Sequence, residues 1–246
     1  MEHGVYDVEA RMEAEHWWFR GRRILFASEM RGLKVQARAS VLDVGSGTGS
    51  NLRMLREEGF ENVTGIDLHY PAVRYCRAKG FTSVVSCDAT KLPFADDRFD
   101  VVLATDIIEH IDNDSRALHE IHRVLAPGGY TIIAVPAFPS LWGLQDIVAH
   151  HKRRYRTENL TEKINLSGLK ILRIYYFNYL LFGPIWLARR VIKMLGIKRA
   201  SEAEFNSSLL NESLFWTFVL DVRTAPLIHP RFGVSILAIA QKGERT

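Results

Sequence analysis

Short apolar runs alternate with helical stretches, and four of the first five runs stop at a glycine turn or an aspartate. Val41 to Val44 runs into Gly45-Ser46-Gly47-Thr48-Gly49, and Asn62 to Ile66 ends at Asp67. Val84 to Cys87 ends at Asp88, and Phe99 to Ala104 leads to Thr105-Asp106. Tyr130 to Val135 follows the turn Pro127-Gly128-Gly129. Helical patterns over Asn51 to Gly59, Pro71 to Lys79 and Ser115 to Leu125 separate the runs. Near-continuous apolar strands joined by helices predict a parallel sheet covered on both faces. Ligands of such sheets bind beyond the carboxyl ends of the strands. The glycines and aspartates fall at those ends.

After residue 168 the alternation changes. Lys170 to Phe177 predicts a sixth strand and Val234 to Ala240 a seventh. The fold class expected is therefore α/β, a doubly wound Rossmann-like sheet of seven strands with a helical insertion between strands six and seven. The expected divisions of one domain are a helical cap over 1–38, a core over 39–177, the insertion over 178–228, and the last strand and tail over 229–246.

The glycine segment carries the chemistry. Glycines let the backbone turn sharply and approach a ligand where a Cβ would collide. Dinucleotide sites use G-x-G-x-x-G at the same place, but here Ser50 follows and the third glycine, Gly49, comes one residue early. A carboxylate at Asp67 can accept two ribose hydroxyls, and one at Asp88 can accept an adenine amino group. Each strand-end aspartate can also be a simple helix cap.

Residues 41–136 resemble the class I S-adenosylmethionine-dependent methyltransferases, especially the ubiquinone/menaquinone-biosynthesis type. Val41 to Gly49 is similar to motif I and Gly65-Ile66-Asp67-Leu68 to motif II. Cys87-Asp88-Ala89, Leu92-Pro93-Phe94 and Phe99-Asp100-Val101-Val102 are similar to the third and fourth motifs. Arg123 to Gly129 is similar to the turn before strand five. The resemblance implies S-adenosylmethionine as cofactor and an antiparallel seventh strand. It implies Asp43, Gly45, Ser46, Gly47 and Gly49 around the amino-acid part. It implies Asp67 and Leu68 at the ribose, Asp88 and Ala89 at the adenine, and Thr105, Asp106 and His110 beside the cofactor.

Methyl transfer from a sulfonium is a direct displacement that requires alignment and no metal. An oxygen acceptor also needs a base. The expected catalytic candidates follow strand five: His151 and Tyr155, with Asp146 and His150 nearby. The stretch Phe138 to Tyr155 and the cluster His16-Trp17-Trp18-Phe19-Arg20-Gly21-Arg22-Arg23 resemble a subfamily associated with glycan, lipid or natural-product modification. From this, Trp17, Arg20, Arg23, Trp142, Arg153 and Arg154 are expected to meet the acceptor, the arginines serving a carboxylate or phosphate. The alternatives are that the tryptophans pack a helix on the sheet and that the arginines form a solvated face.

A formal charge of +4 is too small to imply nucleic acid. Neither an RNA-binding module nor an Asn-Pro-Pro-Tyr-type tetrapeptide is present, so a small-molecule or lipid-linked acceptor is expected. Cys76 and Cys87 lack metal-ligand spacing, and no metal is expected. With no basic and apolar leader pattern, a cytoplasmic location is the expectation. Pro184 to Leu195 reads as an amphipathic helix with Arg189, Arg190 and Lys193 on one arc, extended by Lys198 and Arg199. Such a helix lies peripherally on a membrane, covers the substrate or a second copy in a homodimer, or packs on its own sheet. A second helix is expected over Ser208 to Val222. The competing functional class is a non-catalytic S-adenosylmethionine-binding module.

Overall fold

A computed structural model describes residues 10–194 and 207–244. The strands are β1 (Ser40–Val44), β2 (Asn62–Asp67), β3 (Val84–Ser86), β4 (Phe99–Thr105), β5 (Leu125–Pro136), β6 (Leu169–Phe177) and β7 (Ser235–Lys242). The helices are α1 (Trp17–Leu33), α2 (Ser50–Glu57), α3 (Tyr70–Ala78), α4 (Asp114–Val124), α5 (Leu144–Val148), α6 (Thr157–Leu166), α7 (Phe182–Met194) and α8 (Ser208–Ile228). Short 3-10 turns span Ile108–His110 and Pro139–Leu141.

The seven strands form one sheet in the order β3-β2-β1-β4-β5-β7-β6. β1 to β5 run parallel, and β7 is antiparallel to both β5 and β6. The Rossmann-like architecture and the insertion between β6 and β7 are those expected from sequence. The turn Pro127-Gly128-Gly129 lies inside β5, because pairing with β4 begins at Leu125 and shifts register before Tyr130.

Alternation along each strand divides the core in two. Val41, Val101, Leu103 and Ile132 face α1 and α8, meeting Leu25, Phe26, Phe218 and Val222. Leu42, Val102, Ile133 and Val135 face α4 and α6, meeting Leu118, Ile121, Leu160 and Ile164. Both faces are covered, so the strands read as continuous apolar runs.

The insertion differs from the expected amphipathic arrangement. Arg189 turns inward, where its guanidinium donates to the Leu141 carbonyl at 2.5 Å. Leu187, Val191 and Met194, at i, i+4 and i+7, face outward. Lys198 and Arg199 lie outside the described residues. Among the described residues no helix is long and apolar enough to cross a membrane.

Candidate active site

The loop after β1 is folded by its glycines. Gly45, Gly47 and Gly49 have φ of 79°, 50° and 94°, a region that side chains rarely adopt. A Cβ at Gly45 would lie 2.8 Å from Cδ1 of Ile107. The Gly45 and Ser46 amides donate to the Ile66 carbonyl, tying the loop to β2.

Asp43 is fully buried under this loop. Asn51 donates to its Oδ1 at 3.0 Å and to Thr105 Oγ1 at 2.9 Å, bridging β1 and β4. Asp43 Oδ2 has no hydrogen-bond partner. Burial pushes the carboxyl up to about 7, against the opposing pull of Asn51. At the end of β2, Asp67 accepts from the Gly47 and His69 amides at 3.0 and 2.9 Å. Asp88 is exposed and accepts from the Thr90 amide and hydroxyl. Leu68 is exposed, and Ala89 is half-buried.

β4 delivers the second half of the site. Asp106 adopts a left-handed φ of 50° and pairs with Arg22 at 2.6 Å. In the following turn, Glu109 is fully buried, and neither carboxylate oxygen has a hydrogen-bond partner. Burial, then Asp106, raises its carboxyl well above the usual range. The His110 ring stands edge-on to His151, 4.7 Å between centroids. Burial lowers the His110 imidazole to about 4, so it is neutral at pH 7.

His151 reaches the same place from the loop before α6. Its Nδ1 lies 2.8 Å from Asp146 Oδ1, and its Nε2 lies 3.9 Å from Glu109 Oε1. Asp146 is fully buried and also accepts from Arg154 Nε and the Gly143 amide, both at 2.7 Å. Burial alone would raise its carboxyl, but the hydrogen bonds and charge of His151 and Arg154 prevail and hold it near 2.

Several expected acceptor residues have other posts. Tyr155 is only 1% exposed and donates to Asp114 Oδ2 at 2.8 Å, so its hydroxyl braces the core and is closed to an acceptor. Tyr155, expected to be catalytic, is held by this hydrogen bond inside the core. Arg20 pairs with Glu212 and lies over the Phe215 ring. Arg23 donates to the Glu13 carbonyl and to Ser50. Arg153 pairs with Asp114 at 3.0 Å, and Arg154 is buried on Asp146 and the Ala137 carbonyl. The four arginines are thus engaged in different places rather than converging on an anion. Trp17 packs edge-on to Phe218, and Trp142 is exposed on the loop after β5.

Sequence reasoning gave no site role to Arg22, Asn51, Glu109 or Glu13, although Arg22 stands in the His16–Arg23 cluster and Ile108-Glu109-His110 matches the family pattern. Arg22 shares a helix face with Trp18 and Phe26, which places it over the sheet's carboxyl end while Arg20 and Arg23 turn aside. Glu13 is buried against the glycine loop, accepting from Thr48 Oγ1 at 2.5 Å and from Lys79 at 2.6 Å. The i, i+4 spacing could have found Arg22. A lone glutamate in a polar N-terminal segment gave no such signal for Glu13.

Residues 42–133 match the family described as methyltransferase domain. The chain carries a class I methyltransferase domain. S-adenosylmethionine is the cofactor of this class. The malonyl-[acyl-carrier protein] O-methyltransferase of Pseudescherichia vulneris is 35% identical over 134 residues, covering 52% of this chain and 53% of that protein. The chloroplastic 2-methyl-6-phytyl-1,4-hydroquinone methyltransferase 1 of Oryza sativa subsp. japonica is 32% identical over 106 residues, 42% of this chain and 32% of that protein. The chain thus spans about half the length of the first curated relative and a third of the second. Among solved structures, a chain from the complex of the Haloferax volcanii Trm112 methyltransferase activator superposes with a TM-score of 0.64. It is 21% identical, and the match covers 99% of this chain and 96% of that one.

The cradle fits the cofactor. A glycine loop with positive φ leaves room for close backbone approach, and a buried aspartate keeps one oxygen without a partner beneath it.

Proposed function

We propose that the protein transfers a methyl group from S-adenosylmethionine to an oxygen of a small or lipid-linked acceptor. The observation that carries this reading is the convergence of two halves at the carboxyl edge of the sheet. One half is the Asp43 and glycine-loop cradle, and the other is the Asp146–His151 pair beyond β4.

Asp43 and the loop Gly45, Ser46, Gly47 and Gly49 would hold the amino-acid part of the cofactor. Asp67 and Leu68 would meet the ribose, Asp88 and Ala89 the adenine, and Thr105, Asp106 and His110 would line the remainder. When bound, the cofactor supplies a methyl group on a sulfonium, open to direct displacement. Holding the acceptor in line can contribute about 7–11 kcal/mol. His151 is the proton acceptor in this reading. Asp146 fixes its Nδ1, which leaves Nε2 for the acceptor's proton, and Arg154 positions Asp146.

Two observations support a lipid-linked acceptor. Leu187, Val191 and Met194 on α7 are 58%, 44% and 85% exposed, on the helix whose Arg189 contacts the loop after β5. One relative is named for a phytyl-substituted hydroquinone. An anion held jointly by Arg20, Arg23, Arg153 and Arg154 is not part of the proposal, because each has a partner within the chain.

The test is transfer of labelled methyl groups from S-adenosylmethionine into lipid and small-molecule extracts. The wild type should label an acceptor. His151→Ala should keep cofactor affinity and lose turnover. Cofactor binding with no labelling of any extract would overturn the reading in favour of a non-catalytic binding module.

A further inference from the structure

We propose that Glu109, His110 and His151 form a binding site for one divalent first-row transition ion, of the Zn2+, Mn2+, Fe2+ or Co2+ class. A ligand atom from each lies within 4.8 Å of the other two. Ligands about 2.0–2.2 Å from one tetrahedral ion sit about 3.4 Å apart. The 3.9 Å between His151 Nε2 and Glu109 Oε1 therefore needs only a small side-chain adjustment.

Three features point to a cation rather than a chance cluster. The first is Glu109 itself. Its carboxylate is fully buried, and both oxygens lack hydrogen-bond partners. A buried carboxylate is expensive unless it is paired or coordinates a metal. The second is the state of the two imidazoles. His151 Nδ1 is held by the Asp146 carboxylate, and the His110 ring stands edge-on to the His151 ring with 4.7 Å between centroids. Metal-binding histidines almost always engage their second nitrogen as His151 does, on a carboxylate or a carbonyl. Asp146 is in turn fixed by Arg154 and the Gly143 amide. The third is the donor set. Two imidazoles and one carboxylate suit borderline transition ions rather than Ca2+ or Mg2+, and leave coordination positions open.

The site adjoins Asp106 at the end of β4, on the acceptor side of the cofactor cradle. An oxygen acceptor on the ion would have its proton acidity increased and its position fixed. With the ion bound, His151 Nε2 would be a ligand, and an ion-bound hydroxide would take the acceptor's proton and become water, so His151 is the proton acceptor only in the ion-free form. Ion binding needs neither cofactor nor acceptor, so this inference stands or falls separately from methyl transfer.

The experiment is equilibrium dialysis of metal-stripped protein against Co2+ and Zn2+, with the visible absorption of bound Co2+ and the melting temperature as readouts. One equivalent should bind with an imidazole-type Co2+ spectrum, and the ion should raise the melting temperature. Glu109→Gln should weaken binding at least tenfold, because a neutral amide replaces the carboxylate ligand. His110→Gln, at a half-buried position, should weaken binding to a similar degree and gives the comparison independently of Glu109. No saturable binding up to millimolar ion, or affinity unchanged in both variants, would overturn the proposal and leave His151 a free base.

Discussion

At the residue scale the decisive group is Asp43. Burial raises its carboxyl from the ordinary 3.8 to about 7. The native state therefore holds the proton more tightly than the unfolded chain between those values. Its contribution to stability is full below about 4 and is lost as pH rises through about 7. A cationic cofactor draws the ionised form, so affinity for S-adenosylmethionine should increase from pH 6 to pH 8, with proton uptake by buffer on binding. Calorimetry in buffers of different ionisation enthalpy measures this, and Asp43→Asn should flatten the profile. Asp67→Ala should reduce affinity for the cofactor by about 10- to 100-fold, the loss of a charged hydrogen-bond pair of roughly 1.5–3 kcal/mol. An unchanged dissociation constant in the variant would remove Asp67 from the cofactor site. The strand-end aspartates and glycines were legible because a parallel sheet forces such residues to one edge. Glu109 was not, since its burial depends on how the turn after β4 meets a loop more than 30 residues further along.

At the element scale, the aromatic cluster in the first turn of α1 packs that helix against α8. Trp18 stacks on Phe218 at 5.2 Å between centroids, and Trp17 meets the same ring at 5.5 Å. Gly21 makes this possible, because a Cβ there would lie 2.1 Å from Phe218 Cδ1. Gly21→Ala should therefore destabilise the protein by about 1–3 kcal/mol through overpacking, read as a lower urea midpoint at unchanged slope. A neutral effect would mean that α8 moves freely on α1. All seven strands were legible because apolar runs are local signals, although β5 begins at Leu125, five residues before the expected Tyr130. The side that α7 presents was not. Helical periodicity separates Arg189 from Leu187, but only tertiary contact decides which faces the protein, and the Leu141 carbonyl and Asp146 draw the arginine inward.

At the scale of the whole molecule, α7 and α8 leave an apolar surface. Each helix exposes its own apolar side chains: Trp186, Leu187, Val191 and Met194 on α7, and Trp216, Leu220 and Leu227 on α8. Burying a leucine side chain contributes about 1.5–3 kcal/mol. Vesicle co-sedimentation should show binding to anionic lipid that weakens with salt, and Leu187→Ser with Val191→Ser should reduce partitioning at least tenfold. Protein that stays in the supernatant at low salt would turn the same face toward a second copy of the chain, which sedimentation velocity would reveal. The sheet order also sets a timetable. β5 and β6 never touch along their length; β7 is the wedge between them, pairing Thr131 on one side and Ile171 on the other through Ala240. A nascent chain therefore carries two unzipped edges until β7 leaves the ribosome, with the insertion already outside. Completion of the sheet waits for β7, and the interval before it emerges is when the chain is most open to edge-to-edge association.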